Sequence, residues 1–543
     1  MRDLSARVCL LILFTLALGC GDDSSALDAA PPDALGMDTG SDGSVSDSAT
    51  SDGAMSDGAV TDGAMPDGNV SDGAIPLVLK AFPSAEGAGA NTTGGRGGVV
   101  VHVTNLDDNG EGSLRWAITQ PDLTTPRTIV FDVSGTIVMN RWLDIGRVRN
   151  LTIAGQTAPE GGITVQTPAF YLDRSDNIII RYIRFVNTSY FHSQISTHDN
   201  ASAFGSSGTN NLILDHCSMR YAWNTVCAGF QDANETTDGQ GNVTLQRSIL
   251  GDCATGALFG AIVADPRNEL AGSNSIHHNL FAHISHRFPN IAGNAQAEIV
   301  ENVAYNYRAR LNTFFNDSES NFVNNTFRAG PTSLFGHRRN KIGDYVDTAN
   351  GFDTPRVFMS GNRIDEPGDE FDHLPSATDM AGLFVIWLDT SGGDETEVDA
   401  ASEARFRALA PFAPLGIPIT ELGTDAAYED VLSDVGANAY LNADGTTGRY
   451  LDVMDNHYID DTRNGTLWSG GTGHVNKTDA SALIYPELPT NTRPADYDTD
   501  LDGIPNAVED ATEGLDSSDG ADGALLHESG YSNLEFFFLN NVD

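Results

Sequence analysis

The chain has 543 residues, with 30 Lys and Arg against 75 Asp and Glu, so its formal net charge is −45. That excess of acid argues against nucleic-acid or anionic-membrane binding, which needs clustered cations. Hydrophobic content of 40% supports a large core, while 56 glycines and 19% charged residues favour a turn-rich β protein over a helical bundle.

Residues 1–20 read as an export signal. Arg2 and Arg7 form a basic start, Val8 to Leu18 an apolar run, and Ala17-Leu18-Gly19-Cys20 follows. The last four resemble a bacterial lipobox, in which Cys20 is the lipidated residue; an ordinary secretory signal is the alternative. The expectation is an exported protein held at the cell surface by its acyl chains alone, or otherwise secreted. Residues 21–76 carry twelve acids and no base, with Asp at 42, 47, 52, 57, 62, 67 and 72. The period of five, without aromatics, reads as a disordered and self-repelling spacer.

From residue 77 to 490 the pattern is a coil of short strands. The segments starting at Asn177, Asn211, Asn242, Ser273, Gln296 and Glu319 align so that one column is apolar throughout: Ile180, Leu214, Leu245, Ile276, Ile299 and Phe322. Three positions on, the column reads Ile183, Cys217, Ser248, Asn279, Asn302 and Asn325, with Asn362 as a further turn. The last intervals are 23 residues. A stacked apolar column at fixed period predicts an all-β fold, a parallel β-helix (solenoid), with a β-sandwich as the alternative. The asparagine column predicts a ladder of amides at a tight turn that tolerates left-handed backbone. Loops between coils are where a groove is built. Cys227 and Cys253 lie about one coil apart and are a candidate bridge, the odd count leaving one thiol free.

Residues 491–543 hold thirteen acids and one base. Within them Asp498-Thr-Asp500-Leu-Asp502-Gly503 is followed by Glu509, which meets the D-x-D-x-D-G-x5-E pattern of a calcium loop. This resembles thrombospondin-type-3 or dockerin-like loops and predicts a small C-terminal calcium-loop module. A second half, Gly530 to Glu535, has Leu525, His527 and Ser529 where early acids belong, and is expected to hold no ion.

The coil region resembles the pectate lyase family, from about Phe82 to Asn464, which implies that the parallel β-helix is right-handed. The blocks that carry the resemblance are FPSAEGAGANTTGGRGG (82–98), VTNLDDNGEGSLRWAI (103–118), IVFDVSGTIVM (129–139), LTIAGQTAPEGGITV (151–165), LDHCSM (214–219) and HHNLFAHISHRFP (277–289). AAYEDVLSDVGAN from Ala426 and DTRNGT from Asp461 resemble its closing helix and strap. The resemblance implies β-elimination on pectate or pectin, an acidic plant-type polysaccharide. Calcium then serves as Lewis acid, and the arginine of an R-x-P motif as base. Arg287-Phe-Pro289 matches that motif, so Arg287 is the implied catalytic residue and Pro289 lies at the substrate.

Other positions depart from the family pattern. Ala292 stands where R-x-P-x-x-R has its second arginine. Asn224, Thr225 and Ser202 stand where relatives carry calcium acids, with Asp199 the nearest replacement ligand. No lysine or histidine occurs at Ala254–Gly256. A side-chain cation in place of calcium is one reading, with Arg220, Arg181 and Arg184 as substrate-binding candidates. The residues His216, His278, His283 and His286 invite a metal reading, although a shared column for His216 and His278 favours stacking. The remaining alternatives are a noncatalytic surface glycan binder, and a glycoside hydrolase using Asp215, for which no second carboxylate is placed. A monomer is expected.

Overall fold

The computed structural model describes residues 79–543, apart from 190–201, 223–225, 232–240, 261–271, 294, 309, 316, 334–339, 344–353, 366–382, 388–394 and 469–482. The lipidation candidate Cys20, the spacer, and the positions Asp199, Asn224 and Thr225 lie outside the described residues. Residues 78–543 form one compact unit, in which the segment 491–543 is included.

The chain winds through three long sheets, adding one strand to each per turn. The first has ten strands, from Val99–Val103 to Arg356–Ser360; the second has nine, from Gly135–Val138 to Arg363–Asp365. The third has ten, from Leu143–Gly146 to Glu395–Glu397, and only its last pair is antiparallel. Successive parallel coils make this a parallel β-helix. Inward side chains fill the core and outward ones are covered by other segments, so strands such as Arg127–Phe131 and Ile183–Asn187 are buried at every position.

The apolar column stacks in register. Leu214 pairs with Ile180 and Leu245, Ile276 with Leu245 and Ile299, and Phe322 with Ile299 and Met359. Aromatic rings continue the stacking inside, as between Phe230 and Phe259 at 4.6 Å.

The asparagine ladder forms as well. Asn279 Nδ2 donates to Asn302 Oδ1 at 3.0 Å, Asn302 Nδ2 to Asn325 Oδ1 at 3.0 Å, and Asn325 Nδ2 to Asn362 Oδ1 at 2.9 Å. Ser248 continues it, taking the Cys217 amide at 3.1 Å and giving its own amide to Asn279 at 2.9 Å. The left-handed backbone, however, falls one residue earlier, at Tyr182, His216, Arg247, His278, Glu301 and Asn324. The ladder residues are selected for the amide's donor and acceptor, not for backbone freedom. A second column, Asn150, Asn177, Asn211 and Asn242, combines both properties, with positive φ and side-chain bonds such as Asn177 to Asn150 at 2.8 Å.

Outer faces are covered by other parts of the chain. Residues 81–90 pack on Ile179 and Ile213 of the first sheet. The helices Thr424–Ser433 and Val453–Asn464 cover the second, burying Val431, Leu432, Met454 and Tyr458 against Ile249, Leu280 and Val303. Residues 504–542 pack on Val100 and Ala154 of the first coils. Cys227 and Cys253 are bonded. Among the described residues Cys217 is the free thiol; burial pushes it up to about 12.

Candidate active site

Arg287 lies in the connection from the second sheet to the third, between strands Leu280–Ala282 and Asn290–Ile291. Phe288 anchors this turn in the core, edge-on to Phe281 at 5.7 Å, while Arg287 itself is half-buried with φ +74°. Neighbouring coils hold the turn through its backbone. The Arg287 carbonyl accepts from Ala257 N at 2.9 Å, and Arg287 N donates to Leu311 O at 3.0 Å. A Cβ at Gly256 would sit 2.1 Å from the Arg287 carbonyl oxygen. A side chain at that position is therefore incompatible with the turn's close approach. Pro289 is buried beside Phe288 and supports the turn rather than reaching outward.

Cations gather around this turn. His286 is half-buried, and burial followed by Arg310, Arg287 and Lys341 pulls its pKa well below the usual imidazole value, so it is neutral at pH 7. Arg310 comes from the next coil, one residue before Leu311, while Lys341 pairs in register with Thr313, which pairs with Asn290. Three coils thus contribute positive charge to one corner of a strongly acidic protein. Sequence reasoning missed Arg310 and Lys341. The 23-residue step from Arg287 to Arg310 matches the ladder period and is the signal that would have found the first.

The three arginines expected at the substrate are elsewhere. Arg220 is 1% exposed and bonded to Asp452 and Asp455 beneath the covering helix. Arg184, also 1% exposed, lies 3.5 Å from Asp455 and donates to the carbonyls of Gly161 and Ala437. Arg181 bonds Asp215 at 2.8 Å and Asp543 at 2.8 Å. All three neutralise buried acids, and none is available to a polymer. Burial and Asp452 push Asp455 up to about 6, whereas Arg220, against the effect of burial, holds Asp452 below the usual carboxylate range.

Asp215 is fully buried between Arg181, His216 and Gln246, which removes it as a hydrolytic carboxylate. The histidines do not converge on a metal. His216 pairs with Asp215 at 2.9 Å and stacks on Tyr182, His278 pairs with Glu301 at 3.0 Å, and His283 with Asp461 at 3.1 Å.

The fit of a cation differs between the Arg287 corner and the C-terminal tail. Among the described residues, the acidic groups that can surround an ion are Asp498, Asp500 and Asp502, and Asp502, Glu509 and Asp522. None of these acids is at the Arg287 corner, where the charges acting on His286 are those of Arg310, Arg287 and Lys341. The described residues there do not fit a catalytic calcium. In the tail, burial and the crowding of like charges push Asp498 up to about 6, Asp502 to about 7 and Glu509 to about 8, although His102 opposes the shift at Asp498.

No family model matches the chain. It is 30% identical over 462 residues to the "Probable pectate lyase C" of Aspergillus oryzae, covering 84% of this chain and 93% of that protein. The protein of the same name from Aspergillus flavus is 30% identical over 464 residues, with the same two coverages, 84% and 93%. Among solved structures, a pectate lyase bound to hexasaccharide matches 67% of this chain and 99% of its own, at 15% identity and a TM-score of 0.46. A Bacillus subtilis pectate lyase mutant matches 66% and 98%, at 14% identity and a TM-score of 0.45. The chain belongs to the pectate lyase family.

Proposed function

We propose that the protein is an exported lyase that cleaves a uronic-acid polymer, pectate or pectin, by β-elimination at the Arg287 corner. The observation that carries this reading is the cluster of Arg287, Arg310 and Lys341 around a neutral His286. Within a chain of net charge −45, a polyanion is attracted only where cations are concentrated.

The reaction removes the proton α to the carboxylate. The C–H electron pair becomes a carbon–carbon double bond, the glycosidic C–O bond breaks, and the departing oxygen takes up a proton from water. Arg287 is the proton acceptor. A guanidinium has no lone pair free for a second proton and holds its own to about pH 12, so Arg287 takes the α-proton from its neutral guanidine form and is left as guanidinium while charge grows on the substrate carboxylate. Arg310 and Lys341 supply that stabilisation from the adjoining coils. Phe288 and the Gly256 contact fix the arginine's position, which limits the reorganisation needed at the moment of transfer. Export is supported by residues 1–20, with Cys20 as the acyl acceptor.

The test is incubation of the full chain with polygalacturonate and with methylated pectin, with and without chelator, following the ultraviolet absorbance of unsaturated product. Product is expected, and its loss in Arg287→Lys at unchanged melting temperature identifies the acceptor. Absence of product on both polymers from folded protein overturns the reading in favour of glycan binding alone. Metabolic labelling with palmitate, lost in Cys20→Ala, tests the anchor.

A further inference from the structure

The tail contains a set of buried carboxylates that no protein group satisfies. Glu509 is 1% exposed, and neither of its carboxylate oxygens has a hydrogen-bond partner. Asp502 Oδ2 and Asp522 Oδ1 are also buried and unpartnered, in residues 3% and 6% exposed, and both oxygens of Asp500 are in the same state. Leaving such groups unpaired costs several kcal/mol apiece unless a cation completes them.

Asp522 is the unexpected member. It lies thirteen residues beyond Glu509, outside the D-x-D-x-D-G-x5-E spacing, yet a carboxylate oxygen of Asp502, Glu509 and Asp522 all lie within 4.8 Å of one another. Ligands on opposite sides of a calcium ion are separated by about 4.6–5.2 Å, twice its usual bond length. Two glycines permit the approach. A Cβ at Gly523 would meet Asp502 Oδ2 at 2.1 Å, and one at Gly520 would meet the Asp500 carbonyl oxygen at 2.5 Å. The Asp519-Gly520 and Asp522-Gly523 pairs therefore bring the chain back over the loop to deliver a further ligand.

The second half-loop has solved the same problem differently. Glu535, which would close it, takes the Arg96 guanidinium at 2.8 Å and caps its own helix through Ser532. A protein cation thus occupies the carboxylate where an ion would bind. Around the first loop, His102 of the first strand lies 3.6 Å from Asp498, and Asp543 pairs with Arg181. Every one of these links joins the tail to the β-helix.

We infer that Asp498, Asp500, Asp502, Glu509 and Asp522 bind one calcium ion, with Asp522 closing the site from outside the loop, and that this ion fastens residues 496–543 onto the first coils. An all-oxygen set of five carboxylates suits calcium over magnesium, which keeps its waters and demands octahedral geometry.

The test is calcium titration of the chelator-treated full chain by calorimetry, together with limited proteolysis followed by mass spectrometry. Wild type is expected to bind calcium and to protect residues 496–543 from cleavage, with chelator abolishing the protection. Asp522→Asn keeps the hydrogen bond accepted from Asp516 N and is expected to weaken binding at least tenfold. Equal affinity in Asp522→Asn overturns its role as ligand. Cleavage of the tail that does not change between calcium and chelator in wild type, which needs no variant to fold, overturns the fastening. Neither readout depends on lyase activity.

Discussion

Arg220, on a strand of the second sheet, and Asp452, the N-cap of the Val453–Asn464 helix, form a buried ion pair across 232 positions of sequence. The same carboxylate accepts the amides of Met454 and Asp455, both at 2.9 Å, so one side chain starts the helix and pins it to the coil. Arg220→Met leaves Asp452 and Asp455 buried with only Arg184 near them. A loss of about 3 kcal/mol in urea unfolding is expected, because removing one partner strands the other's charge. Lyase activity per folded molecule is expected to stay within twofold of wild type, which separates this arginine from substrate.

His216 makes stability depend on alkaline pH. Burial disfavours its cation, but Asp215 and Asp434 outweigh that and raise its pKa from 6.5 to about 9. A group whose folded pKa is raised stabilises fully below its unfolded value and loses that contribution as pH rises through the folded one. Stability is therefore expected to fall between pH 6.5 and 9 by on the order of 3 kcal/mol. His216→Asn suits the φ of +49° and is expected to flatten the profile. Melting temperatures across that range check both.

Arg310 is half-buried at the Arg287 corner, and in the function proposed above it stabilises charge on the substrate. Arg310→Gln is expected to raise KM for polygalacturonate about fivefold, the effect of losing one partly exposed ion pair. The ratio to wild type should shrink in added salt. Initial rates at two ionic strengths measure it, with kcat as the control.

Asn302 is held on both sides within the ladder. It donates to the Ile276 carbonyl at 2.8 Å and to Asn325, and accepts from Asn279. Asn302→Ala leaves the Asn279 side-chain amide without one acceptor and the Ile276 carbonyl without its donor. A cost of about 3 kcal/mol is expected in denaturant unfolding. Asn302→Ser is expected to recover part of it, since Ser248 already serves as a rung.

What could be read in the sequence was what repeats. Leu214, Leu245 and Ile276 announce the coil because each sees the same surroundings as the one before, and Asn279, Asn302 and Asn325 announce the ladder for the same reason. The arginines were misread because their partners are not periodic: nothing near Arg220 or Arg181 in sequence points to Asp452 or Asp543. Asp522 escaped because a loop motif lists only ligands within the loop. Arg287 stands out through its motif and Arg310 through the 23-residue step that follows it, whereas Lys341 has no such signal, since it comes to that corner only through strand register.

The Arg96–Glu535 contact spans 439 residues and joins the first described coil to the tail. A solenoid otherwise grows by neighbour upon neighbour, so its coils can form in the order in which the chain emerges. This one cannot finish its beginning until its last fifty residues arrive. Val100, Ala154 and Arg181 stay uncovered through most of synthesis. The cost of loop closure then falls on this one late, long-range contact and not on the many local steps that precede it.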